Sequence, residues 1–386
     1  MNYLNYEQSV LADRGAVHTA REISQQPRLW RELMTGLIHD KLAWKAWMLD
    51  VLSTPNLRII LCGAGTSAFA GRTLEPWLRA SFGLAAEAIS TTDIVSQPLA
   101  YLDPSRPTLM VSFARSGNSP ESVAAVNLAN QLLPYCRHLV LTCNPEGELA
   151  KYSQDNPLAY CVLMPEGAND QSFAMTSSFS CMFVAAAMIL TPGILLNRAK
   201  EQIETVAAFC ESQLESWASQ AKALAGKGFK RVIYLGSGEM AGLAEEAALK
   251  MLELSAGQIA TRFDSTLGVR HGPKFMIDSQ SCVVMFMAAA DSYTRSYDDD
   301  LQAEVIANGI AQQVVALGPK SSAALPLIEV AMEGVDELYL SLPYLLFAQL
   351  FAFESSLALG LAPDNPCPTG EVNRVVQGVK IYPYSA

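Results

Sequence analysis

One short pattern occurs twice in the chain and strongly restricts its fold. Residues 58–65 read RIILCGAG and residues 231–238 read RVIYLGSG, an offset of 173 residues. In both copies an apolar, β-branched run enters a glycine turn, and small residues with helical spacing follow. A repeat at a fixed offset indicates two related units. A strand that enters a turn and then a helix indicates a parallel sheet.

The segments around these copies give a domain organisation. Residues 108–113 (TLMVSF) and 138–143 (HLVLTC) are further apolar runs, each followed by a polar turn and helical spacing. Ser24-Gln-Gln-Pro27 is typical of a helix start, with proline at an early helical position. The sequence thus predicts two α/β domains after a helical start. The predicted segments are 1–50 (helical), 51–194 (first domain), 195–224 (connecting helix) and 225–386 (second domain).

Composition excludes several classes of protein. The net charge of −11 argues against nucleic acid as a partner, because a phosphate backbone requires a basic footprint. The most apolar stretch, Leu338–Ala362, is interrupted by polar residues, so it is predicted to be a buried helix rather than a membrane span. The first residues lack a signal-peptide pattern. Eight scattered cysteines without paired spacing indicate reduced thiols in a cytoplasmic protein and no metal site.

Two hydroxyl-rich turns predict a phosphate site in the first domain. The turn Gly63-Ala-Gly65-Thr66-Ser67 joins a strand to a helix, whose N-terminal N–H groups favour an anion. The serine loop, Ser112–Glu121, follows the next strand and contributes Ser112, Ser116 and Ser119. Arg115 in this loop is either a phosphate partner or a surface charge. Both turns would lie at the carboxyl ends of parallel strands, where ligands bind in open α/β sheets.

Other interpretations of these turns stay open. Serines before a helix commonly act as N-caps without binding any ligand. The first turn also fits a dinucleotide fingerprint, with Glu87 or Asp93 as the ribose partner. The corresponding region of the second domain is acidic and includes Asp291 and Asp298–Asp300, so phosphate is expected only in the first domain. The run Asp298–Asp300 itself is predicted to be a solvated face or a helix start.

A group of ionisable residues in the second domain predicts proton-transfer chemistry. Glu246, Lys250 and Glu253 are spaced i, i+4 and i+7, so they share one helix face, and His271 follows in a His-Gly-Pro loop. A carboxylate placed beside two adjacent carbon atoms can take a proton from one and return it to the other. The alternative is an ordinary salt-bridge face. The opposite face of this helix carries Leu249, Leu252 and Ala256.

Together these motifs resemble the sugar isomerase (SIS) family, in particular its tagatose-6-phosphate ketose/aldose isomerase and galactosamine-6-phosphate deaminase subgroup. The resemblance covers residues 50–386. These residues also resemble the isomerase module of glucosamine-6-phosphate synthase. It rests on the Gly63–Ser67 turn, the loop Ser116-Gly-Asn-Ser119, the segment Thr176-Ser177-Ser178 and the E-x-x-x-K-x-x-E helix with its His-Gly-Pro. Ala114 stands where the family usually has serine. The implied fold is two tandem SIS domains, each a flavodoxin-like, three-layer α/β/α sandwich with a parallel sheet.

The resemblance also implies residue roles. Glu253 would shuttle the proton, His271 would open the sugar ring, and Glu246 and Lys250 would hold the site. Gly65, Thr66 and Ser67 would bind the phosphate together with the serine loop. His271 would enter the active site from a second subunit of a homodimer or larger homo-oligomer. The family's C-terminal tail covers the active site and, in the synthase, offers a lysine. Gln377 stands nearest to that position here. Further substrate contacts are predicted at Ser177, Asn373 and Lys380.

These expectations lead to a predicted activity. No amidotransferase domain or N-terminal cysteine nucleophile accompanies the motifs, so the direction that releases ammonia is favoured. The prediction is an isomerising deaminase that converts galactosamine 6-phosphate to tagatose 6-phosphate and ammonia without a cofactor, membrane or nucleic acid. The alternatives are plain aldose–ketose isomerisation or deglycation of a sugar phosphate, a non-catalytic sugar-phosphate sensor and, less favoured, an NAD enzyme.

Overall fold

The computed structural model describes residues 2–193, 196–290, 292–323, 325–376 and 378–385. The predicted domain boundary at 194–195 and the predicted positions Asp291 and Gln377 lie outside these residues. The chain divides into two compact units that alternate along the sequence. Unit 1 comprises Met1–Pro27, Gln171–Thr176 and Glu201–Thr369, and unit 2 comprises Arg28–Asp170, Ser177–Lys200 and Gly370–Ala386.

Unit 2 contains a five-stranded sheet in which all neighbouring strands are parallel. Every residue of the strand Arg58–Cys62 is buried, so both faces of the sheet are covered there, as expected of a layered α/β sandwich. Cys62 pairs with Ser112, so the carboxyl ends of these two strands are level. The strands, in spatial order, are Ala86–Ala88, Arg58–Cys62, Thr108–Phe113, Cys136–Thr142 and Ala159–Leu163.

Unit 1 contains a second parallel sheet with the same strand order. Gly65 and Gly238 are 173 residues apart, and each directly precedes the equivalent helix of its sheet. Their backbone angles are nearly identical: φ 54° and ψ −129° for Gly65, φ 58° and ψ −126° for Gly238. These parallel α/β sheets confirm the predicted fold class. The strands, in spatial order, are Ala260–Asp264, Arg231–Gly236, Ser281–Phe286, Gln313–Gly318 and Ile328–Glu329.

Helices connect the strands of each sheet. The helix Gln26–His39 has Pro27 at its second position, which confirms the predicted helix start. In chain order, a long helix, Leu196–Ala225, follows the segment that forms the first sheet and precedes the segment that forms the second. Unit 2 also has helices Lys41–Leu52, Thr66–Phe82, Thr91–Ser96, Pro98–Tyr101, Pro120–Leu132, Glu148–Ser153 and Ser177–Ile189. Unit 1 has the hairpin Asn2–Tyr3/Tyr6–Glu7, helices Gln8–Asp13, Val17–Ser24, Glu239–Leu254, Tyr293–Asn308 and Glu337–Ala358, and 3₁₀ turns Gly268–Arg270 and Pro273–Met276.

The most apolar segment is a core helix. Glu337–Ala358 has the length and hydropathy of a membrane span, yet its most apolar 18-residue window is entirely buried within the protein. The prediction of a buried helix is therefore confirmed. Its one buried carboxylate, Glu354, accepts a hydrogen bond of 2.8 Å from the Tyr6 hydroxyl. Burial raises the pKa of Glu354 to about 7, while Lys222 and Arg14 partly oppose that shift.

The free energy of unfolding is expected to fall as the pH rises from about 4.5 to about 7. Glu354 has a raised pKa in the folded state, so between about pH 4.5 and 7 the folded chain holds a proton that the unfolded chain has released. The free energy of unfolding should decrease by up to roughly 3 kcal/mol across that interval. Urea unfolding of wild type and Glu354→Gln on both sides of the interval tests this. An unchanged pH dependence in the variant would contradict the assignment.

Candidate active site

The first glycine turn combines close backbone approach with buried hydroxyls. A Cβ atom on Gly63 would stand 2.6 Å from the carbonyl carbon of Ser67, so the turn requires glycine there. Gly65 has a positive φ of 54°, and the 17-residue helix Thr66–Phe82 follows directly. Both Thr66 and Ser67 are buried at its first turn. Helix N–H groups and hydroxyls are thus concentrated at the carboxyl end of the strand Arg58–Cys62, an arrangement suited to an anion.

The serine loop lies at the end of the neighbouring strand. Ser112 is buried within that strand, and its Oγ is 3.8 Å from the Sγ of Cys62. The Oγ of Ser116 accepts the N–H of Asn118 at 3.3 Å. Ser119 is the N-cap of the helix Pro120–Leu132 and donates its hydroxyl proton to the Oγ of Ser122 at 2.6 Å. Ser119 therefore has the capping role that was weighed as an alternative to phosphate binding.

Backbone contacts fix this loop. Gly117 has a φ of 64°, and a Cβ atom there would stand 3.3 Å from the Cα of Gly147. The side-chain amide of Asn144 donates to the carbonyl of Ser116 at 2.9 Å. The carbonyl of Arg115 accepts the N–H of Cys143 at 3.1 Å. The fold of unit 2 thus places all seven predicted phosphate-binding residues at or just beyond the carboxyl ends of two neighbouring strands. They are Gly65, Thr66, Ser67, Ser112, Arg115, Ser116 and Ser119.

Arg115 is not a surface charge. Its side chain is buried, and its guanidinium donates to the carbonyl of Arg374 in the C-terminal tail at 2.9 Å. Elsewhere in that tail, the amide of Asn373 donates to the carbonyl of Gly370 at 2.9 Å, and the ammonium of Lys380 lies 4.7 Å from the ring centre of Tyr382.

A buried aspartate holds the predicted Ser177 segment. Asp170 accepts the N–H of Ser177 at 3.0 Å and that of Ser178 at 2.9 Å, both at the first turn of the fully buried helix Ser177–Ile189. Sequence analysis missed Asp170. The only available signal was an acidic residue shortly before a helix start, which complements the positive end of the helix dipole.

In unit 1 the three predicted helix residues form a buried ionic group. The Nζ of Lys250 lies 3.6 Å from a carboxylate oxygen of Glu246 and also donates a hydrogen bond to Glu253. The side chains of Glu246 and Lys250 are fully buried, whereas that of Glu253 is 24% exposed. The charged face of this helix therefore points inward, and Leu252 on the opposite face is exposed. Only Glu253 of the three presents an accessible carboxylate.

His271 lies on an anchored but exposed loop. It follows the 3₁₀ turn Gly268–Arg270, and among the described residues its imidazole makes no hydrogen bond. Arg270 and Lys274, on either side of it, both form ion pairs with Glu304 and hold the pKa of that carboxyl below its usual range. The loop is thus held by ion pairs on both sides of His271, while the imidazole is exposed.

Asp298 corrects one sequence-based interpretation. It was predicted to be part of a solvated face or a helix start, but it is 1% exposed in the second turn of the helix Tyr293–Asn308. Its carboxylate accepts the Thr266 hydroxyl at 2.6 Å and the N–H of Ala288 at 2.9 Å. Burial raises its pKa despite these bonds. The prediction failed because these partners are distant in sequence.

Asp298→Ala is expected to lower the free energy of unfolding by roughly 2–3 kcal/mol, since it leaves a buried hydroxyl and a buried N–H without their acceptor. Denaturant-induced unfolding measures the loss of stability. Asp300→Ala is the matched control, because Asp300 is an exposed aspartate of the same helix. Equal stability of the two variants would contradict a structural role for Asp298.

No cluster of three or more His, Cys, Asp or Glu side chains that could hold a metal ion occurs within the described ranges. None of the eight cysteines, which all lie within the described residues, forms a disulfide.

Comparison with known proteins identifies the family. A family model described as "SIS domain" matches residues 52–192. D-galactosamine-6-phosphate deaminase AgaS of Shewanella sp. (strain ANA-3) is 44% identical over 97% of this chain and 94% of its own length. The solved structure of tagatose-6-phosphate ketose/aldose isomerase from Escherichia coli is 39% identical, with a TM-score of 0.85 over 95% of this chain and 97% of that one.

A more distant relative is the isomerizing glutamine–fructose-6-phosphate aminotransferase of Vibrio cholerae, which is 25% identical over 92% of this chain and 58% of its own length. The chain therefore belongs to the SIS-domain family, within the group that contains the AgaS deaminases.

Proposed function

We propose that this protein is an isomerising deaminase that converts galactosamine 6-phosphate to tagatose 6-phosphate and ammonia. The observation that carries the proposal is the similarity to AgaS of Shewanella sp., which extends over nearly the full length of both chains. The Glu246–Lys250–Glu253 group supports it, because it offers one accessible carboxylate held by a buried ammonium. Ammonia release from galactosamine 6-phosphate beside glucosamine 6-phosphate tests the activity and its preference at C4.

The phosphate is assigned to unit 2. The Gly63–Ser67 turn supplies helix N–H groups and hydroxyls, and the serine loop supplies further hydroxyls. The matching edge of the second sheet carries carboxyl groups instead. Glu239 lies at the start of the helix that follows the glycine turn, and a carboxylate oxygen of Asp298 lies 3.5 Å from the hydroxyl of Ser237. A phosphate dianion is repelled by such an edge, which favours unit 2.

Glu253 is assigned the proton transfer. His271 opens the ring by moving a proton between the ring oxygen and the anomeric hydroxyl. Glu253 then takes the proton from C2 of the open-chain aldehyde, which gives an enolamine, and returns it to C1. The C2 iminium that results adds water and expels ammonia, leaving the ketose 6-phosphate. Lys250 holds the Glu253 carboxylate in place, and Glu246 balances the charge of that buried ammonium.

We also propose a homodimer in which His271 acts on the substrate of the second copy. Phe275, four residues beyond His271, is 95% exposed. Leu267 and Phe263 are exposed as well. Phe263 belongs to an edge strand that, within the described part of the chain, pairs on one side with Arg231–Leu235. Exposed apolar residues beside an unpaired strand edge are typical of an interface. The tail contacts predicted at Asn373 and Lys380 remain part of this proposal. So does a cytoplasmic location, which suits eight cysteines that form no disulfide within the described residues.

Mixing two inactive variants tests the shared site. In a dimer of Glu253→Gln with His271→Asn, one site carries both changes and the other carries neither, provided His271 acts across the interface. Random exchange of subunits should then restore about a quarter of wild-type activity. No recovery, although mixed dimers are shown to form, would place both residues of one site in the same chain.

Plain isomerisation and sensing give different results. An isomerase would interconvert ketose and aldose phosphates without releasing ammonia. A sensor would gain thermal stability from the phosphosugar without any turnover. An NAD enzyme would be stabilised by nicotinamide cofactors. Each of these outcomes would replace the proposed deamination.

A further inference from the structure

Arg115 is the one basic side chain of the serine loop, and it is directed at the C-terminal tail. We propose that Arg115 is a positioning residue that fastens this tail, defined here as residues 370–376 and 378–385, to the phosphate-binding loop. The proposal deepens the function proposed above and rests on it where activity is concerned. It separates Arg115 from the phosphate-binding residues, among which the sequence had placed it.

The anchor point of Arg115 is rigid. Its carbonyl accepts both the N–H of Cys143 and the hydroxyl of Thr142, at 3.1 and 3.2 Å, so the backbone is bound to the neighbouring strand. Its side chain is 6% exposed and donates to the carbonyl of Arg374 at 2.9 Å. A buried, charge-assisted bond from a fixed backbone is a strong geometric restraint.

Arg374 is held from a second direction. Its guanidinium donates to the carbonyl of Asp170, whose carboxylate caps the helix Ser177–Ile189. Two contacts thus meet at one tail residue: Arg115 binds its backbone, and Asp170 binds its side chain. The serine loop, the tail and the start of a buried helix are joined through Arg374.

The far end of the tail has its own attachment. The amide of Gln131 donates to the carbonyl of Tyr384 at 3.2 Å, and Tyr384 packs on the apolar core cluster that includes Ile60 and Met110. Between the two attachments, residues 379–384 line a cavity of about 910 Å³ together with the helices Thr91–Ser96 and Pro120–Leu132. Asn118 and Glu121, at the end of the serine loop, also line it. The tail is thus attached to unit 2 at Arg374 and at Tyr384, beside the serine loop.

The position of the tail matters for the reaction because the proposed function gives substrate contacts to Asn373, which is next to Arg374, and to Lys380. Releasing the Arg374 end would let these side chains move by more than an ångström, which is enough to cost on the order of 10- to 100-fold in rate. The inorganic phosphate affinity of the loop should not change, because the hydroxyls and helix N–H groups that bind it stay in place.

The test compares Arg115→Met with Arg115→Lys and with Arg106→Met, a partly exposed arginine of the same unit outside the site. Hydrogen exchange of tail amides and the affinity for inorganic phosphate are measured on the whole protein, followed by kcat and KM. Arg115→Met should speed tail exchange, lower kcat/KM 10- to 100-fold and leave phosphate affinity within about twofold. Arg115→Lys should restore part of the tail protection, and Arg106→Met should match wild type.

The opposite pattern would overturn the proposal. A tenfold or greater loss of phosphate affinity in Arg115→Met, with tail exchange unchanged, would make Arg115 a phosphate ligand. Unchanged tail exchange and unchanged phosphate affinity would also reject it. Because tail exchange and phosphate binding need no turnover, they decide the role of Arg115 even if the wild-type protein releases no ammonia.

Discussion

Glu253→Gln is expected to lower the rate of ammonia release by about 10²- to 10⁴-fold, the range that a positioned acid–base group contributes. Glutamine keeps the shape and the hydrogen-bond acceptor for Lys250 but cannot take a proton from C2. Since the Glu253 side chain is partly exposed, the fold should tolerate the change. Steady-state kinetics should show the loss mainly in kcat, because the phosphate-binding turns are untouched.

Glu245→Gln provides the matched control, because Glu245 lies on the same helix and is likewise partly exposed. It should keep kcat close to that of wild type. Near-normal turnover in correctly folded Glu253→Gln would remove this residue from the mechanism. An equal loss in both variants would point to damage of the helix rather than to lost chemistry.

Lys250→Met is expected to destabilise the protein by about 3–5 kcal/mol, the usual cost of removing one partner of a buried ion pair. The Glu246 carboxylate, whose side chain has no exposed surface, would lose the ammonium 3.6 Å away. Such a loss is a large part of a typical folding free energy. Denaturant-induced unfolding, followed by fluorescence of the buried Trp30, Trp44 and Trp217, measures it.

A compensating variant separates charge from packing. Glu246→Gln combined with Lys250→Met removes the stranded carboxylate, so the double variant should be more stable than Lys250→Met alone. If the double variant is the less stable of the two, lost side-chain packing rather than an uncompensated charge causes the damage.

Local sequence pattern was sufficient to predict much of the fold. Each glycine turn is determined by its own residues: Gly63 and Gly236 both approach the backbone four residues ahead too closely for a Cβ atom. The buried helix Glu337–Ala358 and the helix start near Pro27 followed from composition and from the fixed φ of proline. These features depend on interactions within a few residues, which a single sequence displays directly.

The contacts that complete the site depend on residues far apart in the chain. Asp298 is buried because Thr266 and Ala288 reach it from other loops, and Arg115 meets the tail across 259 positions. The inward orientation of the helix face that carries Lys250 could not be predicted from the sequence either. A helix with charged residues on one face and leucines on the other is normally expected to bury its leucines. Sequence spacing showed which residues share a face but not which face is covered.

The most direct test of isomerising deamination is the fate of deuterium placed at C2 of galactosamine 6-phosphate. If Glu253 moves the C2 proton before nitrogen leaves, the product must be a ketose 6-phosphate with no deuterium at C2, formed together with one ammonia per sugar. The label would appear at C1 or in water, as nuclear magnetic resonance of the product can show. An aldose product that keeps deuterium at C2, or no ammonia from the intact protein, would contradict the proposed reaction.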